Sequence, residues 1–205
     1  VSDTLVSVLL FLAVLVPSVV LHEVAHGVVA LGFGDDTAKR AGRLTLNPLP
    51  HIDPFGTIIL PALLAFTTGG AFGYAKPVPV NPSRMRRPRD HGLLVSLAGP
   101  ATNIVLAVIA AVLLRALVPT ASDLVLDLLF RFGIINVVLA AFNLLPIPPL
   151  DGSAVVERLL PRRLLPQWHR LRGYAMPLLL LLVLLVPGAF GRVFGLAQQA
   201  WLQLL

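Results

Sequence analysis

From Leu5 to Phe33 the chain runs through 29 residues whose only ionisable side chains are His22, Glu23 and His26. A stretch of this length and character is a membrane-crossing helix, which needs ~20 apolar residues. An ionisable group near the bilayer centre costs roughly 2.5–3.5 kcal/mol on insertion scales, and such groups are usually functional or paired. Three of them within five positions therefore demand a compensating partner. On a soluble helix the same pentapeptide, His-Glu-Val-Ala-His, would carry little weight, because surface histidines and glutamates are common.

The rest of the chain is built for the same medium. Of its 205 residues, 57% are hydrophobic and 13% charged, and the mean hydropathy is +0.86, well above that of a typical water-soluble domain. Further apolar stretches run from 93 to 118, 132 to 150 and 176 to 187, so the expected fold class is an all-α polytopic membrane protein. The first stretch does not read as a secretory signal: nothing basic precedes it, it is too long for an h-region, and its polar triplet has no use in a discarded peptide. The net charge of +6 comes mostly from arginines between the apolar stretches. That distribution speaks of membrane orientation and anionic lipid, not nucleic acid. With no cysteine, disulfides and thiolate metal ligands are excluded.

The connecting segments suggest a topology. Gly34-Asp35-Asp36 ends the first helix. Residues 43–54 alternate in polarity and fill with proline, which predicts an extended segment or edge strand. Residues 57–72 are apolar but contain Pro61 and Gly69-Gly70, so they form a short span or a re-entrant loop, and 74–82 (YAKPVPVNP) is extended because its prolines forbid a helix. If 57–72 spanned, Lys39, Arg40 and Arg43 would lie across the membrane from Lys76 and the arginines at 84–89, against the positive-inside tendency. The re-entrant alternative puts residues 34–92 on the cytoplasmic side and the uncharged 119–122 link outside, and makes the first and third long helices parallel. Residues 174–205 form one kinked span or a span plus an interfacial helix. The whole of 1–205 reads as a single intramembrane domain, with a core over 5–158.

His22 and His26 are four apart, so on a helix they project from one face and can both reach one Zn²⁺. Glu23 stands beside them without competing as a ligand, placed to take a proton from water whose pKa the metal lowers toward ~7. Catalytic zinc needs a third protein ligand and an open position. Without cysteine the candidates are His51, His91, His169, Asp53, Asp151 and the few remaining carboxylates. Asp151 stands out at the end of NLLPIPPLDG. His26 lies nine residues from the polar exit at Asp35 and Asp151 seven from Arg158, which is ~13 and ~10 Å of helix, so parallel segments would place them at matching heights. A helix cap before Gly152 is the plainer reading of Asp151. His51 and Asp53 read as structural or gating residues, and Asn103 as packing glue between helices. Pro146, Pro148 and Pro149 break the helix before Asp151, and such irregular backbone is tolerated at membrane depth only inside protein or along a wet cavity.

HEVAH at 22–26, SLAGPATN at 96–103, NLLPIPPLDG at 143–152 and GYAKPVPVNP at 73–82 together resemble the site-2 protease family of intramembrane zinc metalloproteases, over nearly the whole chain. The similarity is greatest to compact prokaryotic members without a PDZ or CBS domain. The resemblance implies zinc on His22, His26 and Asp151, Glu23 as general base, and a three-helix catalytic core with re-entrant extended or β segments between its first two helices. It also implies that Asn143 stabilises the oxyanion or holds the substrate backbone; an interhelical hydrogen bond is its structural alternative. Family members commonly carry a helix before HExxH, and this chain starts without methionine, which is compatible with an N-terminal piece that is missing or trimmed.

The expected function is therefore zinc-dependent hydrolysis of peptide bonds within transmembrane segments of other proteins, in a prokaryotic plasma membrane, with no nucleic-acid partner. A metal transporter using the same His/Asp triad is the alternative from another class. A catalytically silent helix-binding relative is a weaker third, since every expected ligand is present.

Overall fold

The computed structural model describes residues 2–60, 73–186, 188 and 190–205. Eight α-helices occur among them: α1 (Ser2–Gly32), α2 (Thr37–Arg40), α3 (Pro88–Leu117), α4 (Asp123–Asn143), α5 (Ser153–Leu159), α6 (Leu165–Arg172), α7 (Ala175–Leu185) and α8 (Gly191–Leu202). Only α1, α3 and α4 are individually long and apolar enough to cross a membrane. These three form the bundle that holds the polar triplet.

Local chemistry sets where each begins and ends. After α1, Gly34 adopts φ +104°, and the N–H groups of Gly34 and Asp35 close back on the carbonyls of Leu31 and Ala30 at 3.0 and 2.9 Å. This pairing satisfies the last carbonyls of the helix and needs a residue without a Cβ at the left-handed position. Pro88 opens α3 at a position where a missing N–H costs nothing. Beyond α4, prolines 146, 148 and 149 prevent continuation, with a cis bond between Pro148 and Pro149.

Hydrogen bonds give the helix directions. His26 meets Val95 and His22 meets Asn103, so α1 and α3 are antiparallel. Ser18 meets Asn136 while His22 meets Asp151 farther along, so α1 and α4 run parallel. Small residues let α3 and α4 approach: Ala107, Ala110 and Ala111 are buried with Leu114 around Trp201 of α8. Trp201 lies so close to Gly133 that a Cβ there would sit 2.0 Å from its ring, and its Nε1 donates to the Ala107 carbonyl at 2.8 Å. At the other end of α8, Phe190 stacks edge-on against Phe142. This helix therefore runs antiparallel along α4. The outer faces of α1 and α3 expose Leu5, Leu9, Val105 and Val112, as a lipid-facing surface does.

The segment between α1 and α3 leaves and returns at one end of the bundle. Asp35 accepts from the Asn81 N–H at 2.6 Å, and Arg84 pairs with Asp36 at 3.3 Å. Whether residues 57–72 span or re-enter falls largely on 61–72, outside the described residues. Residues 43–54 do not form the expected edge strand. Asn47 accepts from the Leu49 N–H and residues Leu49–His51 make a 3₁₀ turn, because Pro48 and Pro50 favour a turn over a ladder. Residues 73–80 are extended as expected, yet no β-strand occurs among the described residues. The N–H groups of Tyr74, Lys76 and Val78 donate to the carbonyls of Gly56 and His51 and to Glu23, while prolines 77 and 79 remove two donors from the alternate positions.

Candidate metal centre

The histidines occupy one face of α1 a turn apart, and their Nε2 atoms are 3.0 Å from each other. The Asp151 carboxylate completes the group: Oδ2 lies 3.1 Å from His22 Nε2 and 3.4 Å from His26 Nε2. Asp151 reaches them because the chain doubles back after α4. The Gly152 N–H donates to the Asn143 carbonyl at 2.6 Å, and a Cβ at Gly152 would sit 2.2 Å from the Leu144 carbonyl oxygen. Only glycine permits that closure. On the far side, Arg89 Nη2 lies 3.0, 2.9 and 2.8 Å from the carbonyls of Glu157, Arg158 and Leu160. It pins the end of α5, and so the segment carrying Asp151, to the start of α3.

Four observations test whether this set fits a metal. The three atoms form a triangle with edges of 3.0, 3.1 and 3.4 Å, close to the ~3.3 Å ligand separation of a tetrahedral site with bonds of ~2.0–2.1 Å. Asp151 Oδ2 is buried and lacks a hydrogen-bond donor, a costly state unless a cation faces it. Gly99 of α3 lies over the pair of histidines, and a Cβ there would be 2.5 Å from both Nε2 atoms; its absence keeps that space open. Finally, His26 Nδ1 donates to the Val95 carbonyl at 2.7 Å and His22 Nδ1 contacts Asn103 Oδ1 at 2.5 Å. Donation from both Nδ1 atoms leaves both Nε2 lone pairs aimed at one point. Two imidazoles and a carboxylate suit zinc.

Glu23 lies beside the cluster and outside it. Its Oε2 accepts from the Val78 N–H at 2.8 Å, while its other oxygen takes no hydrogen bond from a described residue. A cavity of about 600 Å³ is lined by Glu23, His26 and Asp151 at one end and by Glu157, His169 and Arg172 at the other, so polar groups continue from the triplet to the charged end of the bundle. Asn143 Nδ2 donates to the Leu139 carbonyl at 3.0 Å within α4, so its hydrogen bond is intrahelical. His51 and Asp53 make local contacts within their own segment and with the 74–82 stretch. The His51 carbonyl accepts from Lys76 N–H, and Asp53 caps Gly56 N–H at 2.7 Å.

Two residues at the site, Asn136 and Ser18, escape sequence reasoning, and a third, Asn103, reads there only as packing. Asn103 is more than packing glue, since it touches His22. Asn136 and Ser18, both fully buried, complete its network. Asn136 carried a readable signal as a lone amide in the apolar run Ile134-Ile135-Asn136-Val137, where the cost argument applied to the histidines applies again.

Residues 10–122 and 118–185 match the sequence pattern described as Peptidase family M50. Among curated proteins, the chain is 42% identical over 183 residues to "Putative zinc metalloprotease YwhC" of Bacillus subtilis, covering 86% of this chain and 80% of that one. It is 36% identical over 183 residues to the protein of the same description named Rip2 in Mycolicibacterium smegmatis, covering 86% and 66%. No solved structure matches it.

Proposed function

Because the chain belongs to peptidase family M50, the site-2 protease family, and is a zinc-dependent intramembrane endopeptidase, we propose that His22, His26 and Asp151 hold its zinc and that Glu23 is its general base. The observation that carries this reading is the orphaned Asp151 Oδ2 facing two Nε2 atoms. Zinc, when bound, acidifies water and polarises the scissile carbonyl. Val78 N–H holds one Glu23 oxygen and leaves the other to take a proton from the attacking water and pass it to the departing amide nitrogen. The cavity admits water from the charged end. Asn143 releases Leu139 and donates to the developing oxyanion.

The substrates are transmembrane segments of other proteins, cut near their cytoplasmic ends, and the enzyme resides in the plasma membrane of a prokaryote. A transporter would need ligand groups along a path, whereas among the described residues the three-ligand group at the centre is the only one. Metal analysis beside a cleavage assay is the test: Glu23→Gln is expected to keep near-stoichiometric zinc and lose proteolysis, and His22→Ala and Asp151→Ala to lose zinc as well. Full proteolysis by Glu23→Gln overturns the proposed base, and zinc transport by that variant favours the transporter.

A further inference from the structure

The two histidines are oriented by different kinds of acceptor. His26 Nδ1 faces a backbone carbonyl, that of Val95, which offers no other chemistry. His22 Nδ1 faces the amide of Asn103, and an amide turned by 180° would present N–H where it now presents oxygen. An N–H there would favour the His22 tautomer with its proton on Nε2, which cannot ligate a metal. Something has to fix the sense of that amide.

The fixed point lies three residues away. The Val14 carbonyl can only accept, so Ser18 Oγ donates to it at 2.7 Å. Asn136 Nδ2 donates to Ser18 Oγ at 2.9 Å and to the Phe132 carbonyl at 2.8 Å, which uses both of its protons. Asn136 Oδ1 then faces Asn103 Nδ2 at 2.7 Å, with the Ser18 carbonyl at 3.4 Å as a second acceptor. A turned Asn103 would set oxygen against both acceptors. Ser18, Asn103 and Asn136 are each 0% exposed, so no bulk water relieves that clash.

We propose that Asn136, backed by Ser18, is a positioning residue that locks the Asn103 amide so that His22 presents Nε2 to zinc. The proposal rests on the ligand reading above. It predicts that dependence on Asn136 disappears when residue 103 accepts hydrogen bonds from either orientation, as a carboxylate does.

Zinc dissociation constants measured by chelator competition on folded, monodisperse protein test it. Asn136→Leu is expected to weaken zinc binding by about 10–100-fold, the range for loss of a supporting partner, and the double variant Asn136→Leu/Asn103→Asp to return to near the wild-type value. In the metal-free protein, ¹⁵N shifts of the His22 ring should show Nδ1–H in the wild type and a mixture of tautomers in Asn136→Leu. If Asn136→Leu does not fold, Asn136→Ala carries the test, with the same expected loss of about 10–100-fold. Wild-type affinity in the Asn136 variant, or no recovery in the double variant, overturns the proposal. His22→Ala is the control. Unchanged zinc affinity in that variant refutes the ligand reading itself, whereas loss there with none in Asn136→Leu refutes only the lock.

Discussion

Replacing Gly99 by alanine adds one methyl group at the place where the two histidines converge. Its Cβ would stand 2.5 Å from His22 Nε2 and from His26 Nε2, whereas ordinary contact begins at 3.4 Å. Relief therefore requires about 0.9 Å of retreat by each ring or by α3. Zinc–nitrogen bonds of ~2.0–2.1 Å tolerate departures of only ~0.2 Å. Retreat of the rings would also break their bonds to Asn103 and Val95. Zinc affinity should fall at least about a hundredfold, ~2.7 kcal/mol, and proteolysis with it. Unfolding is not the expected route, since alanine is a better helix former than glycine by ~0.8–1.0 kcal/mol. The assay is metal content and chelator competition on the purified variant, with thermal unfolding of the metal-free protein as control. One tightly bound zinc in a stable Gly99→Ala protein would refute the reasoning, because no metal could then occupy the space the methyl fills.

Other consequences follow from the same geometry. Single cysteines at Thr37 and Ser83 should both be labelled from the cytoplasm by an impermeant reagent, and one at Thr120 only from outside; opposite labelling of 37 and 83 would contradict the contacts of Asp35 with Asn81. Burial pushes the Asp35 carboxyl up, but hydrogen bonds from the Thr37 hydroxyl and from the N–H groups of Asn81 and Thr37, with Arg84 nearby, together hold it below the usual carboxylate range. The unfolded chain thus binds the proton more readily, so the stabilisation is complete above pH ~4 and is lost as pH falls through the folded value. Asp35→Ala should cost about 1–3 kcal/mol at neutral pH, and the difference from wild type in thermal unfolding should shrink in acid. Asn143→Ala should retain zinc while lowering turnover about 10²–10³-fold; an unchanged rate would leave its amide as the helix-end bond seen with Leu139. Substrate segments already weakened by glycine, proline or asparagine near the cytoplasmic third should be cut faster than leucine-stiffened versions, because an intact helix shields its carbonyls. Equal rates would show that unwinding does not limit the reaction.

Much of this protein is legible in one dimension because the membrane makes it so. A bilayer forces helices of a set length and makes every buried ionisable group costly. Apolar runs therefore marked α1 and α3, and the expense of His22, Glu23 and His26 marked the site; the run at 132–150 overlaps only the second half of α4, which starts at Asp123 and ends at Asn143 where the prolines beyond it forbid a helix. Asp151 was within reach because depth can be counted along helices that run parallel. Local rules served less well where proline allows more than one outcome: within 43–54, read as an extended segment or edge strand, Leu49–His51 form a 3₁₀ turn braced by Asn47.

What only the tertiary structure decided is how residues on different helices meet. Gly99 and the histidines, Asn103 and His22, and Asn136 and Ser18 are separated by about seventy to more than a hundred positions, and no periodicity within a helix encodes the rotation of one helix against another. Side-chain packing sets that rotation, chiefly the alanines and Gly133 that admit Trp201 between α3 and α4. The sequence determined that the polar groups at that depth in α1 need a partner. The packing of α3 and α4 decided which neighbours hold its histidines in the form that can bind a metal, because hydrogen bonds depend on distance and direction between atoms, not on their order along the chain.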